Sequence, residues 1–308
     1  MAAAAGLMLV PVSERDPGTA TSHGVGELIL AALDEGVERL IVGIGGSATN
    51  DGGAGMLQAL GARLTDEEGR ELAPGGLALL KLAKVDLSGL DPRLAKVAID
   101  VACDVDNPLV GPEGASAIFG PQKGATPDMI QALDEALTNL ARVLERDLGV
   151  SVADHPGAGA AGGLGAAFYG LLGGRLRPGV EIVTEAVGLA ELVADADLVV
   201  TGEGRMDAQS IRGKTPMGVA KIAVAAGRPV IGIGGSLGFG AHALCGEGLE
   251  AIFGSIARPC SVEDALAQAH ENLTSVARNV AATLNLGLGL AQSAPGAKSC
   301  ADFGNAAA

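Results

Sequence analysis

Short runs of Val, Ile and Leu alternate along this chain with stretches of helical period, and glycine clusters stand at many of the junctions. That alternation is the strongest constraint on the fold. Strands separated by helices pair in parallel, and parallel sheets need helices on their faces. The apolar runs predict strands over residues 39–44, 96–103, 197–201, 229–233 and 249–253. Helices are predicted over 26–36, 52–60, 127–148, 158–172, 181–193, 216–226 and 262–284. Thr126-Pro127 and Thr215-Pro216 each place an N-cap before a proline at the first helical position. Ser261 and Asp264 have the spacing of a capping box. The expectation is an α/β protein, with its last third closest to a doubly wound sheet.

At 308 residues the chain is long enough for two domains. A soft boundary falls near residues 175–194, separating 1–185 from 186–286, while 287–308 lose helical period and read as a loose tail. Glycine accounts for 48 residues and aromatic side chains for only 2%, so the core must come from Ala, Val, Leu and Ile with close backbone approaches. A net charge of −15 argues against nucleic acid as a partner, because phosphate backbones need a basic face. No apolar run reaches the length of a membrane span. The opening "MAAAAGLMLVP" has no basic flank and is cut by Pro11, so it does not read as a signal peptide. Cys103, Cys245, Cys260 and Cys300 show neither close pairing nor His partners at metal spacing, which fits a reducing, cytoplasmic location.

Three loops carry the candidate chemistry. "GIGGSATNDGGAGM", Gly43–Met56, satisfies G-x-G-x-x-A, a form of the dinucleotide fingerprint. That fingerprint should open directly into an apolar helix, whereas here "SATNDGG" intervenes. Ser47, Thr49 and Asn50 with the free amides around Gly45 and Gly46 suit an anion better. Asp51 is either an N-cap or a functional carboxylate. The twin "VIGIGGS" at Val230–Ser236 lacks the polar continuation and reads as a strand end. The second loop, "DLVVTGEGRMDAQSIRGKTPMG", is expected to carry Glu203, Arg205 and Asp207 beyond a strand ending at Thr201, where open α/β sheets bind ligands. Gly213-Lys214-Thr215 ends like a P-loop, but Ala208 stands where the first glycine belongs, so Lys214 is left as a point charge for phosphate. The third, "CDVDNPLVGPEGASAIFGPQKGA", offers Asp104, Asp106, Asn107, Glu113, Gln122 and Lys123. Its acids could hold Mg²⁺, although the spacing is not that of an EF-hand. A fourth segment, "HPGAGAAGGLGAAFYG", reads as a closely packed small-residue helix whose N-terminus could face a ligand. His23, His155, His242 and His270 form no triad with a Ser or Cys.

"GIGGSATNDGGAGMLQALGA", "VACDVDNPLVGPEGASAIFGPQKGA", "PGAGAAGGLGAA" and "TGEGRMDAQSIRGKTPMGVA" together resemble the bacterial type 1 glycerate kinases, in this order and with similar spacing. "TSHGVGELI" at Thr21–Ile29 also looks like the corresponding family segment, and the resemblance runs from Met1 to about Leu286. It implies phosphorylation of D-glycerate by ATP with Mg²⁺, usually to 2-phosphoglycerate, with 3-phosphoglycerate also possible. It implies a Rossmann-like domain interrupted by an inserted α/β domain, with the active site in the cleft between them. Residues 1–185 would then be mostly the inserted domain and 186–286 the remainder of the Rossmann-like one. The family's early D-S-x-K and D-G-G-E-G-T segments have no counterpart here. On that comparison the chain is expected to be truncated and its Rossmann-like sheet to lack its first strands, leaving an apolar edge unpaired.

Phosphoryl transfer needs positioning, cations on the phosphate oxygens and an acceptor for the hydroxyl proton. On the resemblance, Gly45, Gly46, Ser47, Thr49 and Asn50 would cradle phosphate. Lys123, Arg205 or Lys214 would supply positive charge, with Arg205 also able to grip the glycerate carboxylate through two N–H groups and Glu203 beside them. Asp207 is the first candidate for the base or a Mg²⁺-linked carboxylate, followed by Asp51, with Asp104 a candidate metal ligand. Two alternatives stay open: a catalytically impaired fragment or small-molecule binder, and an NAD(P)-dependent oxidoreductase built on "GIGGSA".

Overall fold

The computed structural model describes residues 1–211 and 215–293. Backbone packing divides the chain into two compact units, Met1–Val183 and a second beginning at Thr184. Eight strands are present among the described residues: β1 (Arg39–Gly43), β2 (Arg63–Thr65), β3 (Lys84–Asp86), β4 (Ala98–Ala102), β5 (Arg175–Arg177), β6 (Val199–Met206), β7 (Val230–Leu237) and β8 (Ala251–Gly254). The helices are α1 (Ala2–Ala5), α2 (His23–Asp34), α3 (Ala54–Ala59), α4 (Ala115–Phe119), α5 (Pro127–Leu148), α6 (Ala160–Leu171), α7 (Gly179–Ala186), α8 (Leu189–Ala194), α9 (Thr215–Ala225), α10 (Val262–Ala267) and α11 (Ala269–Ser293). The α/β class read from the alternation is therefore the observed one.

In the first unit β1, β4 and β5 form a parallel sheet in that order, and β2 and β3 pair antiparallel. The central strand β4 buries Asp100, whose carboxylate takes Arg39 from β1 at 2.6 Å and Arg175 from β5 at 2.9 Å. Register explains the cluster: Arg175 lies opposite Asp100, and Arg39 lies opposite Ala98, two residues away on the same face. Burial pushes the Asp100 carboxyl up, but the arginines outweigh it and hold the group below the usual carboxylate range. The core beside the sheet is aliphatic, with Ile29, Met56, Leu64, Val101, Leu137, Leu140 and Phe168 in one cluster. Helix α5 follows its punctuation: Thr126 accepts from the backbone N–H of Met129, Pro127 opens the helix, and Gly149 closes it at φ 68°.

In the second unit β6, β7 and β8 are parallel and neighbours in that order. Both longer strands outrun their predicted ends. β6 continues to Met206, so Glu203 and Arg205 lie within a strand rather than on the loop after it. β7 carries "GIGGS" inside the sheet to Leu237 rather than at its end. The cause is close packing of two glycine-rich strands: a Cβ on Gly232 would lie 2.8 Å from the Met206 side chain, and one on Gly235 would meet the Gly204 carbonyl. The predicted helix 181–193 is two helices, broken at Gly188 with φ 64°. The predicted helix 262–284 is also two, and α11 runs on through Gly287 and Gly289 to Ser293. Residues 294–308, the rest of the expected tail, lie outside the described residues. The Ser261 cap is present, accepting from the N–H of Asp264 at 3.1 Å. No helix among the described residues is long and apolar enough to cross a membrane.

Candidate active site

Parallel strands end together, and the carboxyl ends of β1 and β4 open a cavity of about 290 Å³ in the first unit. Ile44, Gly45, Gly46 and Ser47 border it from β1, Ala102, Cys103 and Asp104 from β4, and Ala160 and Ala161 from α6. A Cβ added to Gly43 or Gly45 would touch nothing within 4 Å, so this backbone edges open space that a ligand can approach. Gly46, at φ 73°, supplies the turn that a side-chain-bearing residue would resist.

The cavity's cation is Lys123, which is 1% exposed. Its ammonium donates to Ser47 Oγ at 2.9 Å and to the carbonyl of Thr49 at 2.7 Å. No carboxylate lies within ion-pair distance of it among the described residues. Burial pulls its pKa from 10.5 down to about 8, with Asp51 opposing the shift. A buried ammonium held by a hydroxyl and a carbonyl, with no ion pair among the described residues, is costly and gains from an anionic partner.

Beneath the cavity the rest of "SATNDGG" is buried. Thr49, Asn50 and Asp51 are each fully buried and do not border the cavity. Asn50 donates to Ser116 Oγ at 2.9 Å. Asp51 accepts from the N–H and O–H of Ser22, both at 2.8 Å, and from the N–H groups of Gly53 and Gly55, both at 3.2 Å. Both oxygens are thus engaged in tying the start of α2 to the start of α3. In this arrangement Asp51 anchors the two helix starts, and the N-cap of α3 is Gly53. Thr49 Oγ1 and Asn50 Oδ1 are buried without a hydrogen-bond partner. A buried polar atom left unpaired costs about 1–3 kcal/mol, so these two sit where a water or ligand oxygen would be favoured.

Helix α6 begins with a left-handed turn, Ala161, Gly162 and Gly163 at φ 54°, 71° and 92°. Ala161, which borders the cavity, is the one non-glycine residue at positive φ among the described residues. The turn exists because the Gly43–Met56 loop lies against it. The Gly162 carbonyl accepts the N–H of Gly52 at 2.9 Å, and a Cβ on Gly162 would lie 2.6 Å from the Asn50 Cα.

Asp104 is exposed at the cavity rim, where one oxygen accepts the N–H of Gly179 at 2.8 Å. No three His, Cys, Asp or Glu side chains converge as a metal site among the described residues. A Mg²⁺ ion commonly takes only one or two protein carboxylates and completes its shell with phosphate and water, and Asp104 fits that part. Glu203, Arg205 and Asp207 form their own cluster in the second unit. Arg205 pairs with Asp207 at 3.2 Å, Asp207 accepts the N–H of Gln209 at 3.0 Å, and Glu203 accepts the buried Ser210 hydroxyl. Lys214 lies outside the described residues. Sequence reasoning missed Arg15, which donates to the carbonyls of Gln122 and Leu7 at 3.2 and 3.4 Å. Its only signal was a basic residue shortly before "TSHGVGELI".

This geometry defines an α/β protein with a lysine-bearing cavity at parallel strand ends. The glycerate kinase family profile matches residues 1–285. The chain is 54% identical over 286 residues to the glycerate kinase of Bacillus subtilis (strain 168), covering 93% of this chain and 75% of that protein. It is 54% identical over 288 residues to the glycerate 2-kinase of Escherichia coli (strain K12), covering 94% and 76%. A crystal structure of a Salmonella typhimurium LT2 chain described as glycerate kinase 2 aligns with a TM-score of 0.81 at 58% identity, covering 93% of this chain and 74% of that one. The chain belongs to the glycerate kinase family and so to the phosphotransferases. The nicotinamide reading of "GIGGSA" is not favoured: α3 begins only at Ala54, well past the glycines that would have to open it.

Proposed function

We propose that this protein is an ATP-dependent glycerate kinase that phosphorylates D-glycerate to 2-phosphoglycerate. The observation that carries the reading is Lys123, a buried cation without a carboxylate partner, set against the glycine-edged strand ends of a chain in this family. At about 290 Å³ the cavity is near the lower end of small-molecule sites, which suits a phosphoryl group and the reacting end of glycerate rather than a whole nucleotide. The backbone of Gly45 and Gly46 and the hydroxyl of Ser47 would receive phosphate oxygens. Lys123 would neutralise charge that builds during transfer. Asp207, immediately after β6, is assigned as the acceptor of the glycerate hydroxyl proton, with Arg205 setting its orientation, Lys214 supplying positive charge and Glu203 accepting from a substrate hydroxyl. Mg²⁺, held through Asp104 and phosphate oxygens, would supply charge neutralisation on the transferred group. A cytoplasmic location fits the free thiols of Cys103, Cys245 and Cys260.

A coupled assay of ADP release with D-glycerate, ATP and Mg²⁺ tests the activity. Turnover that needs both glycerate and ATP is the expected result, and its absence in the folded protein overturns the reading. Asp207→Asn is expected to lose about 10²-fold or more in kcat while remaining folded. Wild-type turnover in that variant removes Asp207 from the mechanism.

A further inference from the structure

Lys123 stands in a wall between two cavities. On its second side is a smaller one of about 200 Å³, bordered by Arg15, Asp16, Thr19, Ala48 and Lys123. Arg15 is half-buried, and among the described residues its guanidinium is bound to the backbone carbonyls of Gln122 and Leu7. Its Nε is buried without a partner, and no carboxylate lies within ion-pair distance of Arg15 among the described residues. The neighbouring acid Asp16 is already engaged, accepting the N–H of Gly18 and the hydroxyl of Thr19, both at 2.8 Å. Glu14, the other acid at this cavity, is exposed. Two cations, neither of them ion-paired among the described residues, therefore share one small cavity with Asp16 and Glu14 in a chain of net charge −15.

The arrangement is built rather than incidental. Gly124, at φ 93°, ends the turn that carries Lys123, and a Cβ there would press on Arg15, 3.0 Å from its Cβ. The turn thus brings Arg15 and Lys123 to the same cavity. A guanidinium with donors to spare beside an ammonium matches a small carboxylate, which accepts through two oxygens at once. The geometry points to the Arg15–Lys123 cavity as the subsite for the glycerate carboxylate, with Arg15 selecting a 2-hydroxy acid over a neutral polyol. This rests on the glycerate kinase reading. Lys123, common to both cavities, then faces the carboxylate on one side and the phosphate region on the other.

The test compares wild type, Arg15→Gln and Arg15→Lys for KM of D-glycerate, KM of ATP and binding of the neutral analogue D-glyceramide. Arg15→Gln is expected to raise the glycerate KM on the order of 10- to 100-fold, leaving the ATP KM and glyceramide binding unchanged. Arg15→Lys should recover part of the loss. An unchanged glycerate KM in Arg15→Gln, or equal weakening of glyceramide, overturns the assignment. Wild-type protein alone also decides it, since equal affinity for glycerate and glyceramide would show that no carboxylate subsite exists. If wild type binds D-glycerate but releases no ADP, the function reading has failed separately. Equilibrium binding then decides the subsite, with loss in Arg15→Gln supporting it and retention overturning it.

Discussion

Lys123 is charged at a position where burial works against charge, and the consequences for binding and for stability run in opposite directions. Its pKa in the folded protein is about 8 against an ordinary 10.5. Between those values the unfolded chain still holds a proton that the folded chain has shed, so this group's contribution to stability grows as pH rises through about 8. Anion affinity does the reverse, because the neutral amine no longer attracts the substrate. The KM for D-glycerate is therefore expected to rise between pH 7 and 9.5, and Lys123→Met should flatten that rise. A pH-independent KM in wild type would show that Lys123 does not meet the anion. Lys123 and Ser47, singled out in the sequence as phosphate-binding candidates because a glycine loop and a basic residue past a strand end are chemical signals, border one cavity. Sequence reasoning did not show that Asp51, Thr49 and Asn50 are buried beneath the cavity, since polarity in a sequence does not reveal whether a side chain faces a cavity or ties two helix starts together.

The strand ends and the left-handed turn of α6 are one construction. The turn gives the Gly43–Met56 loop a backbone surface it can touch, and only glycine leaves room at Gly162. Gly162→Ala is expected to cost about 2–4 kcal/mol, combining a strained positive φ with a collision against the Thr49 carbonyl. Chemical denaturation measures it, and a loss below about 0.5 kcal/mol would mean that the loop and α6 are not coupled as described. Elements with strong punctuation were predictable, α5 among them, whereas β2, β3 and β5 were not. "RLR" at Arg175–Arg177 looks polar because its arginines serve Asp100 across the sheet, and only the register makes that visible. β6 and β7 were read short because glycine usually ends strands, while here paired glycines let two strands approach.

Each unit carries its own core, the first gathered around Met56, Leu140 and Phe168 and the second around Met206, Ala220 and Val230. The residues that enclose both cavities belong to the first unit, whereas Glu203, Arg205 and Asp207 belong to the second. The whole chain repels small anions through its charge of −15, so recruitment of glycerate must depend on local cations, and Lys123 is the most buried of these. The most direct test is kcat/KM for D-glycerate in Lys123→Met beside wild type, with circular dichroism establishing that both are folded. The expected result is a loss of about 10²–10³-fold, the size found when one preorganised electrostatic partner is removed from a transition state. A folded Lys123→Met protein with wild-type kcat/KM would contradict the account.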